Sequence, residues 1–357
     1  MNEESSGLRI LTAGRGLEWM SHKTPALEVI PMHVDEKKIE RAIATVTDFG
    51  SHLEPVLRVQ PGERFTVETQ DNFFGKIRSE EILPSPEHLD ILRTTPWTVN
   101  PVAGPIYLEG LKRGDSLVVE IEEMIPSETG WTGFLATFGN LAQRYDFPEL
   151  QQFYSRITRH KPGPSGTTSD GSGSFTVTRE VTYPLRPFLG TIVTAPERGI
   201  HNTLVSQGSW GGNIDCKHVC KGHRVMLNAY HDGGLLFFGD GHAAQGDSEY
   251  TGIADESAMD TTIRCHVIEK KRIPGVLRIE TPVSLIQVDS ARNAGSMDRA
   301  LNGAFIGMMD WLIKDHGMDA KEAYLHFTAN PDVVVHTYQF VGPAFYVVGV
   351  EFPRRYI

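Results

Sequence analysis

The sequence predicts a mainly β protein: an antiparallel β-sandwich body, jelly-roll-like, with a C-terminal α+β part carrying two helices. Three observations lead there. Alternating apolar and polar runs recur about Pro-Gly and Gly-Asp turns in the first 125 residues. Short runs of the same kind continue at close spacing through residues 175–290. A clear helical period appears only after residue 296.

Taken in order, residues 1–25 are polar and mixed, as loosely packed chain ends are. Residues 26–33 read as a first strand. Residues 35–44 carry apolar side chains at roughly helical spacing behind Asp35, a residue type that caps helices, with a loop as the other reading. Residues 55–70 alternate about Pro61-Gly62 and predict a hairpin. Within its second arm Phe65 and Val67 point one way, Thr66 and Glu68 the other. Asp71 stands at the end of that arm, followed by Asn72 and Gly75. A loop with several prolines over 84–105 leads into Asn100-Pro-Val-Ala-Gly-Pro-Ile. Gly114-Asp115 then turns into an alternating strand over 117–121.

Residues 147–157 predict a short helix. Residues 161–174, rich in Gly, Ser and Pro, predict a loop and the division between two domains, 1–160 and 175–357. Strands are expected at 175–181, 190–194, 224–229, 235–238, 261–268, 277–280 and 283–288. Between them lies a glycine-rich stretch, Gly208-Ser-Trp-Gly-Gly-Asn-Ile-Asp215. From Met297 to Lys314 the apolar Leu301, Phe305, Met308, Met309 and Leu312 fall on one helical face, behind Ser296 or Asp298 as cap. A second helix starts behind Asp319 and ends at Asn330-Pro331, leaving final strands over 333–340 and 344–351.

Bulk properties narrow the function. A net charge of -11 on 357 residues argues against nucleic acid and anionic membrane surfaces as partners. No apolar run is long enough to span a bilayer. Three cysteines, Cys216, Cys220 and Cys265, cannot form a disulfide framework and suit a reducing compartment. The first residues lack the basic and apolar segments of a secretory signal, so a cytoplasmic location is expected.

One stretch concentrates chemistry. Leu235 to Phe238 reads as a buried strand ending in a loop with Gly239, Gly241 and Gly246. That loop carries Asp240, His242, Gln245, Asp247 and Glu249, side chains that bind metals or move protons. Carboxylates at a strand end need water, a cation or a polar substrate. By contrast, Cys216, His218 and Cys220, read as one face of a strand, are spaced too far apart to close on one tetrahedral ion and are taken as structural, with Asp215 facing the site. His33, His201 and His266 are taken as packed or solvated. Met308-Met309 with Phe305 reads as helix core or subunit interface, while Trp210 with its glycines is either packing or a pocket wall. Nucleophile elbows of the Gly-x-Ser-x-Gly kind are absent.

At Gly239-Asp-Gly-His-Ala-Ala-Gln-Gly-Asp-Ser-Glu249 the chain resembles the acetamidase/formamidase family. Four further blocks lie in the same order: Glu68-Thr-Gln-Asp71, Asn100-Pro-Val-Ala-Gly-Pro-Ile, Gly190-Thr-Ile-Val-Thr-Ala-Pro196 and Gly211-Gly-Asn-Ile-Asp215. The resemblance implies hydrolysis of the carbon–nitrogen bond of a small linear amide of the formamide or acetamide type. It also implies a β-sandwich body, a homo-oligomer and a divalent metal near the acidic loops, zinc first and calcium as the alternative. The chain departs from the family pattern at Ala103, Ser248, Lys217 and His218, and matches poorly over 131–185; these changes bear on the substrate rather than the reaction.

The resemblance then suggests roles. His242 with Asp71 or Asp240 would hold the metal. Asp247 or Glu249 would act as base and then as acid, and Asp215 and Gln245 would orient the amide. Asn100, Gly211 and Gly212 are assigned to the substrate side. The rival reading is a non-catalytic β-sandwich binding calcium or a small polar ligand. His242 and Gln245 tell against it, because a calcium loop uses oxygen ligands and gains nothing from an imidazole.

Overall fold

Nine strands form one sheet, in the order Lys37–Ile39, Arg64–Thr69, Met259–Ile268, Ser116–Pro126, Arg224–Asn228, Leu277–Glu280, Ser284–Ser290, Phe345–Pro353 and Val334–Val341. This is a computed structural model, and it describes residues 37–357 apart from 96–97, 137, 143, 145, 164–172, 179–180 and 343–344. The expectations for residues 1–33, for the Asp35 cap and for most of the Gly/Ser loop fall outside the described residues. A second sheet runs Val181–Pro184, Ser174–Thr178, Tyr154–Lys161, Thr129–Phe134, Asp255–Glu256, Leu236–Ala244, Phe188–Thr194, Gly211–Asn213 and Gln207–Gly208. Val102–Leu108 also pairs with Leu236–Ala244, and Leu57–Val59 pairs with Val102–Leu108.

The two sheets share one core. Phe65, Val67, Ile121 and Ile263 enter it from the first sheet; Ile106, Leu189, Ile192, Leu236 and Phe238 enter from the second. Each such side chain contributes roughly 1.5–3 kcal/mol by leaving water. Alternation along Ser116–Pro126 explains what lies on the other face. Leu117, Val119 and Ile121 point into the sandwich, while Val118 points away, toward the helices. There Met297–Lys314 buries Ala300, Ala304, Met308, Trp311 and Leu312 against Leu285, Val350 and Phe352. Ala320–Ala329 packs beside it, and Asp319 caps its first turn by accepting from the backbone N–H of Lys321 and Glu322. Both expected helices are therefore present.

Several expectations change. Residues 55–70 do not close a hairpin: Leu57–Val59 runs parallel to Val102–Leu108 in one sheet, and Arg64–Thr69 pairs with Met259–Ile268 in the other. The Pro61-Gly62 turn carries the chain between sheets, and the Gly62 N–H donates to Cys265 O at 2.8 Å. Residues 37–44 hold a short strand, Lys37–Ile39, parallel to Arg64–Thr69, and a single 3-10 turn, Arg41–Ile43. In place of a helix over 147–157 there is a 3-10 turn, Pro148–Leu150, and then the strand Tyr154–Lys161. Strands from both sides of 161–174 lie within each sheet, so that loop joins neighbouring strands and separates no sheets. Among the described residues, no helix is long and apolar enough to cross a membrane.

Candidate active site

The strand expected to stop at Phe238 continues to Ala244 and is buried up to its last residue. Asp240 and His242 therefore project from a strand rather than a loop, two residues apart and on one face. Phe188–Thr194 flanks this strand on one side, with Phe188 opposite His242. Asp255–Glu256 and Val102–Leu108 flank it on the other, and Glu256 stands directly across from His242. A cross-strand pair shares a face, so register alone delivers Glu256 to the imidazole.

The cluster is tight. His242 Nε2 lies 3.6 Å from Asp240 Oδ1 and 3.4 Å from Glu256 Oε2. Its Nδ1 faces Gln245 Oε1 at 3.0 Å, and the Gln245 amide donates to the carbonyls of Asp215 and Tyr338 at 3.1 and 3.2 Å. This arrangement holds the ring and fixes which nitrogen faces the carboxylates. Phe188 meets the imidazole edge-on at 5.0 Å. Asp215 follows the strand Gly211–Asn213, its N–H donating to Gly190 O at 3.1 Å. Gln339 donates to its Oδ2, and Gln207 donates to Gln339 at 2.7 Å.

Asp215, Asp240 and Glu249 have φ of 44°, 55° and 45°, in the left-handed region that non-glycine residues seldom occupy. Three strained carboxylates in one cluster are the mark of a site whose surroundings hold it in place.

Burial sets the electrostatics. It pushes the Asp215 carboxyl up to about 7, with the neighbouring Asp240 charge adding to the effect. Burial likewise raises Glu249, helped by Asp215, and raises Glu256. For His242 burial opposes protonation, yet Glu256 and Asp240 outweigh it and hold the imidazole well above its ordinary value. Four buried carboxylates around one histidine are costly unless protons or a cation compensate them. Asp215 Oδ1 and Glu256 Oε2 have no hydrogen-bond partner. The ligand-type atoms of Asp215, Asp240 and His242 lie within 4.8 Å of one another, as do those of His242, Glu249 and Glu256. One imidazole nitrogen with several carboxylate oxygens suits a divalent cation of the zinc type.

All five side chains line one cavity of about 740 Å³. Asn100 also borders it, with φ 52° and its N–H on Asn72 O. The other expected site residues lie elsewhere. Asp247 is half-exposed and paired with Lys217 at 2.6 Å, outside the cavity, because the turn after Ala244 directs it to solvent. Asp71 accepts from the N–H groups of Phe73 and Gly75 at 2.8 Å, so its buried carboxylate closes a local turn and reaches neither ligand group. Gly211 and Gly212 do not border the cavity, and each lies where the backbone packs closely: a Cβ would fall 2.2 Å from Ile192 O and from Ser206 O respectively. Gln245 sits behind the imidazole and supports it.

Residues 214–223 form turns rather than the strand assumed for them, and burial pushes the Cys216 and Cys220 thiols up to about 12, as suits structural cysteines. Sequence reasoning missed Glu256, Gln339 and Gly190. The acidic pair Asp255-Glu256 between the Gly252 turn and the next strand was the signal for the first.

Comparison with known proteins agrees with this architecture. The profile of the acetamidase/formamidase family matches residues 33–209 and 203–331. The formamidase of Methylophilus methylotrophus is 24% identical in an alignment of 273 positions that covers 62% of this chain and 63% of that protein, so the match spans less than two thirds of its length. The solved acetamidase from Yersinia enterocolitica superposes with a TM-score of 0.76 at 28% identity, covering 90% of this chain and 92% of that one. The acetamidase from Bacillus halodurans gives 0.75 at 25% identity, covering 89% and 98%.

Proposed function

The chain belongs to the acetamidase/formamidase family, and on that premise we propose that it hydrolyses the carbon–nitrogen bond of a linear primary amide, releasing a carboxylic acid and ammonia. The observation that carries this reading is the convergence of Asp215, Asp240, His242, Glu249 and Glu256 on one cavity. His242 and Asp240 would hold a divalent cation, with Asp215 or Glu256 completing the set. Such a cation, when bound, supplies Lewis acidity, which polarises a carbonyl and acidifies water.

The chain's own groups do the rest. Glu249, its proton affinity raised by burial and by Asp215, is suited to take a proton from the attacking water and return it to the departing nitrogen. Glu249 inherits the base role assigned jointly to it and Asp247. Gln245 keeps His242 in the tautomer that leaves Nε2 toward Asp240 and Glu256. Gln339 and Asp215 form the wall against which the amide would be oriented. Assembly into a homo-oligomer belongs to the same reading, and light scattering checks it.

The test is ammonia release from primary amides before chelation, after chelation and after zinc is restored, with His242→Ala and Glu256→Gln in parallel. Turnover that vanishes on chelation, returns with zinc and drops at least a hundredfold in both variants supports the reading. Full turnover after chelation removes the cation and leaves the carboxylates to act alone. No turnover of any amide, with calcium bound tightly, favours the non-catalytic alternative.

A further inference from the structure

The cavity is far larger than formamide or acetamide requires. At about 30 Å³ per water, its 740 Å³ holds some two dozen waters, and a short amide would displace only a few of them. Its size is that of pockets that enclose much larger ligands. The composition of the wall is equally informative. Phe73 packs on Trp131 at 5.5 Å, and Phe138 meets Phe345 edge-on at 6.2 Å, giving two aromatic pairs that border the cavity. Phe73, Trp131 and Phe345 are buried.

Several polar side chains of the wall are already engaged with the protein. Asn72 accepts from Trp131 Nε1 at 3.0 Å, Asn140 accepts from the Gly342 N–H at 3.1 Å, and Asn213 accepts from Thr191 Oγ1 at 2.9 Å. Arg292 lies over the Phe345 ring, 4.8 Å from its centre. Beyond the acidic cluster, then, much of the wall is apolar, with the rings of Phe73, Trp131, Phe138 and Phe345 set among aliphatic side chains such as Leu135 and Ile253.

We infer that the substrate is a primary amide with an aromatic acyl group, of the phenylacetamide kind, whose ring lies among Phe73, Trp131, Phe138 and Phe345 while its amide meets the acidic cluster. This rests on the amide-hydrolysis reading and narrows it. Aromatic rings favour offset and edge-to-face neighbours, which these two pairs supply. The bonds made and broken are those of any primary amide: water adds its oxygen to the acyl carbon, the carbon–nitrogen bond breaks, and the nitrogen leaves as ammonia.

The experiment measures kcat/KM of the metal-supplemented full chain on formamide, acetamide, butyramide, benzamide and phenylacetamide. Phenylacetamide should exceed acetamide by roughly ten- to a hundredfold, and each buried methylene should add about fourfold. Phe138→Ala should lower the phenylacetamide-to-acetamide ratio by about tenfold. Values that stay flat or fall from acetamide to phenylacetamide overturn the aromatic assignment while leaving amide hydrolysis intact. If no amide is turned over, the hydrolysis reading falls, and calorimetry with uncharged phenylacetamide decides the cavity separately: binding that weakens in Phe138→Ala supports the aromatic pocket, and no binding overturns it.

Discussion

Replacing Gly190 by alanine is the sharpest test of how the carboxylates are held. Gly190 lies on the strand Phe188–Thr194, and its carbonyl accepts the N–H groups of Ile214 and Asp215 at 2.9 and 3.1 Å. A Cβ added there would sit 2.5 Å from Asp215 Oδ1 and 2.6 Å from Asp240 Oδ2. Ordinary contact begins at 3.4 Å, so the oxygens must retreat by about 0.9 and 0.8 Å. Neither can do so freely. Asp215 is held through its backbone by Gly190 itself and through its side chain by Gln339, and Asp240 stands on a strand paired on both sides.

Overpacking of this kind costs about 1–3 kcal/mol, offset in part by the roughly 0.5–1 kcal/mol that alanine recovers over glycine in a strand. The protein should therefore still fold, with a net loss of about 1–2 kcal/mol in urea unfolding. Function should suffer more, because a displacement near 1 Å at a reacting centre costs about a hundredfold. We expect zinc affinity, read by calorimetry, to fall at least tenfold and kcat/KM for amides to fall about a hundredfold. A Gly190→Ala protein that binds zinc with unchanged affinity and keeps turnover within threefold would refute the claim that this glycine sets the spacing of Asp215 and Asp240.

Three further outcomes are expected. Gln245→Leu removes the acceptor facing His242 Nδ1 and should lower metal affinity or kcat by about 10- to 100-fold, with Gln245→Glu recovering much of it; equal losses in both would show that shape alone matters. Asp247→Asn should leave kcat within about threefold and stability within about 1 kcal/mol, since it removes only an exposed ion pair with Lys217; a hundredfold loss would return Asp247 to the catalytic set. Burial and the nearby His336 hold the His218 imidazole down at about 4. Below pH 6.5 the unfolded chain takes up a proton at this position that the folded chain refuses, so stability present in full above pH 6.5 is lost as pH falls toward 4. The loss amounts to about 2 kcal/mol at pH 5, and a His218→Gln urea series that keeps the wild-type slope between pH 7 and 5 would count against it.

What could be read from the sequence was whatever has a local period. The alternation of Leu117 to Ile121 and the helical face of Leu301, Phe305, Met308, Met309 and Leu312 follow from spacing alone; Met308 and Leu312 are fully buried, while Leu301, Phe305 and Met309 pack partly buried against the same cluster. The acidic cluster was legible through the density of Asp240, His242 and Glu249, although the strand that carries the first two looked like a loop. What could not be read was register. Residues 55–70 look like a hairpin because both arms alternate, yet their partners lie on different sheets, and nothing local names them. Tyr154–Lys161 alternates in burial too, but its buried positions are the polar Thr158 and His160, so no hydropathy period shows. The same limit explains the site. Asp247 was chosen for its neighbours in sequence, whereas Glu256 belongs by its place opposite His242 across the sheet.

The interleaving of early and late strands also governs how the chain reaches this state. Met259–Ile268 lies between Arg64–Thr69 and Ser116–Pro126, pairing Thr262 with Thr66, 196 residues away. A chain synthesised as far as residue 250 has those two early strands but lacks the one that joins them, so their edges stay open as templates for other chains. Closing such distant pairs is slow, because the entropy of the intervening loop is lost before the contacts reward it. Folding must wait for nearly the whole chain, and fragments ending before residue 259 are expected to aggregate rather than form half of the sandwich.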